Sequence, residues 1–280
     1  MSAQDDVEPV WEHVRGPAAP HLRRLVASYS GFRDDVPAPG AQRQLPSTTA
    51  PLIIDLGAGW RVATPADRYR PVLLGGFAGG MHDAFALVEA AGPALCLQAD
   101  LTPLGARRLL GVPMHELTNR VVSLDDLLGP DAGLLAERIA GARTWPERFA
   151  IVDEVLTRRL ERAPAVSPEV EWAWAQLETS AGAMPVGTIC GRLGWSRKRL
   201  VAAFREEIGL TPKTSARLVR FDALMARLRD PGRRVSWARL AAECGYFDQS
   251  HLVRDVREFT GGTPTELLGR LPPAETALTA

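Results

Sequence analysis

Hydrogen-bonding side chains are concentrated in one short amphipathic segment, ECGYFDQSHLVRDVREFTGGTP, at residues 243–264. Gln249, Ser250, His251 and Arg254 lie there among apolar residues, just after a Gly-aromatic pair. Amide, hydroxyl, imidazole and guanidinium groups can bond to base edges and phosphate oxygens, and arginine can pair with guanine through two hydrogen bonds. The residue types therefore indicate polar recognition from the start of a helix.

A related segment, RLGWSRKRLVAAFREEIGLTP, occurs 52 residues earlier, at residues 192–212. The 52-residue shift places Leu200 over Leu252, and both copies end in Gly-x-Thr-Pro. A short helical segment and a Gly-aromatic turn precede each copy, and the second turn is one residue longer. Two copies of helix, glycine turn and helix predict tandem helix-turn-helix motifs.

Each copy has features that would fix its second helix and turn the polar residues outward. Ser196 precedes the first of these helices and Asp248 precedes the second, and both residue types cap helix amino termini. Apolar residues at i and i+4 would hold each helix to the core. The polar residues near the helix start would then face outward, where a major groove could receive them.

A long helix is predicted between the two motifs. Thr211 is its expected cap, Pro212 its first residue, and Pro231-Gly232 its end. An apolar stripe would bury one side of this helix: Leu218, Phe221, Met225 and Leu228. About 18 helical residues span roughly 27 Å, so two recognition helices held by this rod could enter successive major grooves about 34 Å apart.

The zero net charge of the 280-residue chain conceals an uneven distribution. Residues 192–239 contain 13 basic and 4 acidic residues, whereas residues 1–167 contain 17 basic and 20 acidic ones. A basic block is often a solvated surface, but it is also the footprint of a nucleic-acid-binding face. No run of about 18 apolar residues and no signal-peptide pattern occurs, so we expect a cytoplasmic protein without membrane contact.

The amino-terminal part is broken by Pro and Gly into short segments. Apolar stretches at 51–57, 71–77 and 93–101 are predicted strands, and helical patterns follow. The clearest helix starts at a capping box formed by Thr144 and Glu147. Its apolar stripe could pack on its own domain or supply a dimer seam.

RAPAVSPEV, at residues 162–170, is the predicted linker. The expected domains are therefore 1–165 and 166–272, with a tail at 273–280. The expected fold class is an α+β amino-terminal domain of short strands followed by helices, then an all-α domain with two helix-turn-helix motifs joined by a long helix.

Residues 168–270, with both Gly-x-Thr-Pro endings and GYFDQSHL, resemble the AraC/XylS-type transcriptional regulators. Residues 1–165 look like a sensor region found on some members. The resemblance implies a two-domain regulator: an effector-binding and dimerising domain, often a cupin-like barrel, followed by a bipartite DNA-binding domain.

Carried over by position, the resemblance assigns DNA contacts to two helix starts. They are Ser196, Arg197, Lys198, Arg199, Val201, Ala202, Arg205, Gln249, Ser250, His251, Val253 and Arg254. Ala202 stands where the family commonly has Arg, and Val201 is apolar. The first helix is therefore expected to read thymine methyls or to contact phosphates, and the second to read bases. For His251, the alternative is a plain surface histidine.

The sequence motifs do not support an enzymatic function. Paired carboxylates, a phosphate loop, G-x-S-x-G and metal-spaced His/Cys clusters do not occur. The pairs His82-Asp83 and His115-Glu116 have no third ligand, so we expect no metal, cofactor or catalytic residue. Cys96, Cys190 and Cys244 are too scattered for a disulfide framework or a zinc site, and one amino-terminal cysteine does not fit a DNA-repair methyltransferase.

Three hypotheses remain. The first is a sequence-specific regulator of transcription that binds double-stranded DNA and senses a small-molecule effector through residues 1–165, with ligand-binding residues unassigned. In the second, that region is only a dimerisation or protein-interaction module without a ligand. In the third, the helical repeat is a protein-binding scaffold. A homodimer and a contact with RNA polymerase are further expected partners.

Overall fold

Short strands are the main regular structure of residues 10–101, because the apolar segments there are bounded by turn residues. The computed structural model describes residues 10–230 and 235–271. Among these residues the strands are β1 Trp11–Gly16, β2 Val26–Asp34, β3 Gln42–Gln44, β4 Ala50–Asp55, β5 Trp60–Ala63, β6 Val72–Leu74, β7 Phe77–Gly79, β8 Ala86–Ala90, β9 Ala94–Leu101 and β10 Val121–Ser123.

Helices follow the strands and make up the carboxyl-terminal domain. The amino-terminal domain has α1 Pro103–Leu110, α2 Leu124–Leu128, α3 Asp131–Gly141 and α4 Trp145–Leu160, besides 3₁₀ turns at Pro20–Leu22 and Met114–Glu116. The carboxyl-terminal domain has α5 Pro168–Thr179, α6 Val186–Leu193, α7 Arg197–Glu207, α8 Pro212–Leu228, α9 Trp237–Glu243, α10 Gln249–Thr260 and α11 Pro264–Arg270. The predicted fold class is confirmed.

The strands pair antiparallel in two sheets. One sheet has the order β1-β2-β9-β4-β7-β10 and the other β3-β8-β5-β6. Both sheets are open. They therefore differ from a closed cupin-like barrel, which was one expectation. They face each other through a small apolar cluster that includes Ile53 and Cys96 from the first sheet and Val62 from the second.

Two predicted strands are confirmed and one is corrected. The segments at 51–57 and 93–101 form β4 and β9, which are hydrogen-bonded neighbours with Ile53 opposite Gln98. The segment at 71–77 is not one strand, because a bend at Gly75-Gly76 divides it into β6 and β7, which lie in different sheets. Two consecutive glycines carry no side chain to pack and allow the chain to cross over.

Alternation along the strands gives the larger sheet two different faces. One face, which includes Leu97, packs on helices, and the other turns toward the second sheet. Phe149 and Trp145 of α4 lie where a side chain at Gly16 or Gly31 would be. The apolar stripe of α4 is thus buried against its own domain and is not an exposed surface for a dimer interface.

The helix starts follow the sequence closely. A hydroxyl or carboxylate side chain caps most of the predicted helices: Thr102, Ser123, Thr144, Ser167, Ser196, Thr211, Asp248 and Thr263. The connector α8 ends at Leu228, and its predicted end at Pro231-Gly232 lies outside the described residues, as does the tail at 273–280. The gap between α4 and α5 covers residues 161–167, so the last three residues of the predicted linker at 162–170 belong to α5, and the domain boundary stays a prediction.

Candidate functional site

The first helix-turn-helix motif consists of α6 and α7. Gly194 ends α6 in the left-handed region, with φ 66°, and the Ser196 hydroxyl accepts a hydrogen bond from the Arg199 amide at 3.2 Å. Buried Leu200 and Phe204 hold α7 to the core. Because these two residues fix the rotation of the helix, its first turn is exposed to solvent.

The second motif, α9 and α10, repeats this construction. Gly245 lies in the left-handed region with φ 74°, and the Asp248 carboxylate accepts the His251 amide at 2.7 Å. Leu252 and Val256 are fully buried. The side chains of Gln249, Ser250 and Arg254 are therefore presented together on the exposed side of α10.

A buried ion-pair network orients α10 on the connector. The Arg217 guanidinium of α8 bonds to the Asp255 carboxylate at 2.9 Å and also contacts Glu258. It lies over the Phe259 ring, 5.0 Å from its centroid. Since Asp255 is fully buried, removal of Arg217 would leave a buried charge without its partner, which is strongly destabilising. The network holds the second recognition helix at a fixed angle to the connector.

The structure places most of the predicted DNA-contact residues at the surface. Nine are exposed: Ser196, Arg197, Lys198, Arg199, Ala202, Arg205, Gln249, Ser250 and Arg254. The other three are half-buried: Val201, His251 and Val253. Each motif thus brings its own set together at one helix start, and contact with DNA remains a prediction.

His251 is turned partly toward the protein. Its Nδ1 accepts the Phe247 amide at 3.4 Å, and its ring meets the Tyr246 ring edge-on at 5.3 Å. Burial lowers the pKa of the imidazole; the Asp255 carboxylate opposes this change, and the positive charges of Arg220 and Arg254 reinforce it. A neutral ring that accepts at Nδ1 carries its proton on Nε2, and Nε2 lies 3.7 Å from the Asp255 carboxylate.

A cavity of about 630 Å³ lies between the two sheets of the amino-terminal domain. This volume is within the range of small-molecule sites, about 300–1,000 Å³. Its apolar walls include Phe32, Ile53, Trp60, Phe77, Val88 and Cys96. Burial raises the pKa of the Cys96 thiol to about 12, so this cysteine is an apolar wall residue and not a nucleophile.

One end of the cavity is polar. Arg15 lies opposite Ser30, which lies opposite Gln98, so the three side chains form a row across the sheet. Within the described residues, Arg15 makes no ion pair and no side-chain hydrogen bond. The Gln98 amide donates to Asp100 at 2.6 Å, which leaves its carbonyl oxygen for another partner. The row could hold an anionic or polar group of a ligand.

Residues 42–49, here named the linking segment, run between this cavity and the carboxyl-terminal domain. Gln42, Gln44, Ser47 and Thr49 line the cavity. Arg43, pointing to the other side of β3, donates to the Thr260 carbonyl at 2.8 Å. That carbonyl belongs to the last turn of α10, where a positive charge is favourable.

The linking segment also contacts the connector. The backbone amide and hydroxyl of Thr48 donate to one carboxylate oxygen of Asp222 in α8, at 2.7 and 2.5 Å. Burial raises the pKa of Asp222, and the two hydrogen bonds from Thr48 act against this. Leu45 lines the cavity and also packs against the carboxyl-terminal core. No sequence signal identified these residues, because their partners lie some 170 to 220 positions away.

The first motif is held from a different direction. Thr118 donates to the Gly209 carbonyl at 2.7 Å, and Arg107 pairs with Glu206 at 3.3 Å, at the end of α7. These contacts leave the amino-terminal turns of α7 uncovered. The amino-terminal domain therefore contacts the carboxyl-terminal ends of α7 and α10, whereas the exposed polar residues lie at the starts of these helices.

Metal and membrane sites are not indicated within the described ranges. No group of three or more His, Cys, Asp or Glu residues there is placed to hold a metal ion. No described helix is long and apolar enough to cross a membrane. The three cysteines are free thiols.

Two helix-turn-helix units joined by one long helix are an architecture typical of DNA-binding domains of transcription regulators. Residues 189–270 match a family model described as a helix-turn-helix domain, of the AraC type. Residues 15–123 match a domain of unknown function, DUF6597. The carboxyl-terminal domain is thus a helix-turn-helix domain of the AraC type, which agrees with the resemblance seen in residues 168–270 of the sequence.

Solved structures of ToxT from Vibrio cholerae have a similar fold. An apo ToxT variant aligns with a TM-score of 0.51 and 10% identity over 86% of this chain and 98% of that chain. Unsaturated fatty acid bound wild-type ToxT aligns with a TM-score of 0.48 and 9% identity over 98% of each chain. At such identity the likeness concerns the fold alone. No curated protein sequence matches the chain.

Proposed function

We propose that the protein is a sequence-specific DNA-binding regulator whose affinity for DNA responds to a small molecule held in the amino-terminal cavity. The observation that carries this proposal is the linking segment. Its residues line the cavity on one side and bond to α8 and α10 on the other. A ligand that displaces Gln42, Gln44 or Ser47 would therefore act on the second motif directly.

DNA binding is supported by the exposed polar set on each recognition helix. The first helix offers Arg197, Lys198 and Arg205, which can neutralise phosphates. The second offers Gln249 and Arg254, whose geometry suits adenine and guanine edges. The first helix is thus proposed to contribute mainly affinity and the second mainly sequence preference.

Selection from a random pool of duplex DNA with the full chain tests this part. The expected result is a bipartite site whose two parts lie about 10 base pairs apart, one turn of the duplex. Affinity should fall steeply as salt is raised, because several phosphates are neutralised. A chain that enriches no sequence and binds heparin as well as DNA would contradict the proposal.

Effector binding is tested by thermal denaturation of the full chain with a chemically diverse set of small molecules. At least one compound should raise the melting temperature saturably and change the affinity for the selected duplex. Val88→Trp would fill the cavity and should abolish both effects, whereas Val72→Trp, on exposed β6, should not. If no compound binds and the chain self-associates, residues 1–165 serve dimerisation instead.

A further inference from the structure

Phe247 is an exposed aromatic side chain in the turn of the second motif. Its side chain is 93% exposed, more than any other large apolar residue described. When Gly245-Tyr246 is matched to Gly194-Trp195, Phe247 is the extra residue that makes the second turn longer than the first. The ring adds nothing to the core, and it belongs to the turn that leads directly into the second recognition helix.

The turn holds Phe247 in a defined position. Tyr246, just before it, is buried, and the Phe247 amide donates to His251. Asp248, just after it, caps α10. With both neighbours fixed, Phe247 is held exposed two residues before the amino end of the recognition helix.

The first motif treats its aromatic residue differently. There Trp195 is half-buried, and the Arg199 guanidinium covers its ring at 4.0 Å. Among the described residues, no aromatic or cationic group covers the Phe247 ring in this way. The two turns therefore present different surfaces: a cation over an aromatic ring in the first motif and a bare ring in the second.

We propose that Phe247 makes an apolar contact with a thymine methyl group at the edge of the second half-site. The inference rests on the proposed DNA binding. Residues at the amino end of a recognition helix reach base edges in the major groove, and the thymine methyl is the apolar group displayed there. Phe247 would thus add a preference for thymine from a turn position at which the first motif has no bare aromatic ring.

The surroundings of the ring favour DNA over a protein partner. Phe247 is a single apolar side chain beside exposed Gln249, Ser250 and Arg254. The buried core of a protein interface is instead depleted of charged residues and broadly apolar. A single aromatic ring among hydrogen-bonding side chains suits the major groove of DNA. There the thymine methyl groups lie between the hydrogen-bond donors and acceptors of the base edges.

Binding of the full chain to its selected duplex tests the contact. Phe247→Ala should raise Kd roughly fivefold to tenfold, with an unchanged salt slope because no phosphate contact is lost. Phe247→Leu should restore most of the affinity, and Leu73→Ala, at another exposed apolar position, should have no effect. Equal melting temperatures would show that the variants are folded.

Replacement of each thymine by deoxyuridine removes only the methyl group. One position should weaken binding of the unchanged protein and leave the Phe247→Ala protein unaffected. The inference is wrong if Phe247→Ala binds normally, or if every deoxyuridine weakens both proteins equally. Should the unchanged protein select no duplex at all, the proposed function fails instead, so the two failures are distinguishable.

Discussion

The two recognition helices present different side chains for the proposed contact with DNA. The first begins with three consecutive basic residues, of which Arg199 is stacked on its own Trp195. The second begins with Gln249 and Ser250, followed one turn later by Arg254. A point charge such as lysine favours phosphate, whereas amides and guanidinium groups can form paired bonds with a base. The proposed division of roles therefore rests on the chemistry of individual side chains.

Substitutions in the two helices should therefore have different signatures. Arg254→Ala is expected to cost about 1–3 kcal/mol and to relax the preference at one base pair. Lys198→Ala should weaken binding to all sequences and reduce the salt slope by about 1. Anisotropy titrations with matched and mismatched duplexes over a salt series measure both effects.

Arg158, exposed on α4 in the other domain, gives a matched control: Arg158→Ala should leave both quantities unchanged. If Lys198→Ala and Arg254→Ala gave the same pattern, the separation of roles would be refuted.

Among the helices, α6 is the least favourable by composition. Gly187 and Gly191 lie in its interior, and a Cβ built on either meets no atom within 4 Å. Neither glycine is needed for close packing or for a positive φ. Gly194, which ends the helix, does need its conformation, with φ 66°. Glycines in one short helix thus have two different roles.

Gly187→Ala and Gly191→Ala should each stabilise the protein by up to about 1 kcal/mol, because alanine loses less backbone entropy in a helix. Gly194→Ala should destabilise it, since an L-residue is strained in the left-handed region. Urea denaturation followed by tryptophan fluorescence measures the differences. Stabilisation by Gly194→Ala, or a loss on Gly187→Ala, would contradict this account of α6.

At the scale of the whole molecule, the amino-terminal domain contacts both motifs and the connector. Phe85 packs on Gly261, at the end of α10, and Met81 is fully buried in the carboxyl-terminal core. Together with the bonds from Arg43 and Thr48, these contacts join the cavity walls to the DNA-binding domain. Under the proposed function, these are the contacts through which a ligand in the cavity would act on the second motif.

Arg43→Ala should loosen the end of α10. Loss of a charge-assisted hydrogen bond corresponds to roughly tenfold faster hydrogen exchange, or about 1.4 kcal/mol, at the amides of residues 260–263. Arg61→Ala, whose ion pair with Glu89 lies within the smaller sheet, serves as the control. Unchanged exchange in the Arg43 variant would show that this contact does not hold the helix.

Asp222 should make the contact between the domains dependent on pH. Its raised pKa, caused first by burial, means that the folded protein binds the proton more tightly than the unfolded chain. The stabilisation that comes from this tighter proton binding is fully present below the ordinary pKa of 3.8, and it is lost as pH rises through the raised pKa.

Asp222→Asn can still accept hydrogen bonds from Thr48 but carries no charge. As pH rises from 4 to 7, the free energy of unfolding of the variant should therefore increase relative to that of the unchanged protein. The expected increase is about 1.4 kcal/mol for each unit by which the pKa of Asp222 is raised. Denaturation curves at several pH values measure the difference. Parallel curves for the two proteins would contradict a raised pKa at this position.

Much of the carboxyl-terminal domain was predictable, because its signals are local. Caps such as Ser196 and Asp248 act within three residues, and stripes such as Leu252 and Val256 act within two turns. The amino-terminal sheets were predicted only in part. Strand pairing there joins distant segments, as in β3 with β8, and short apolar runs such as 71–77 do not reveal which sheet they join.

By itself, the sequence predicted the main helix starts, the tandem repeat, the outward-facing polar residues and the helix-turn-helix class of the carboxyl-terminal domain. Periodicity, capping and turn chemistry are properties of neighbouring residues. Only the tertiary structure decided that two open sheets enclose a cavity and that Arg43 and Thr48 reach α10 and α8. Such contacts depend on where the whole backbone carries residues that are far apart in the chain, and no local pattern encodes that.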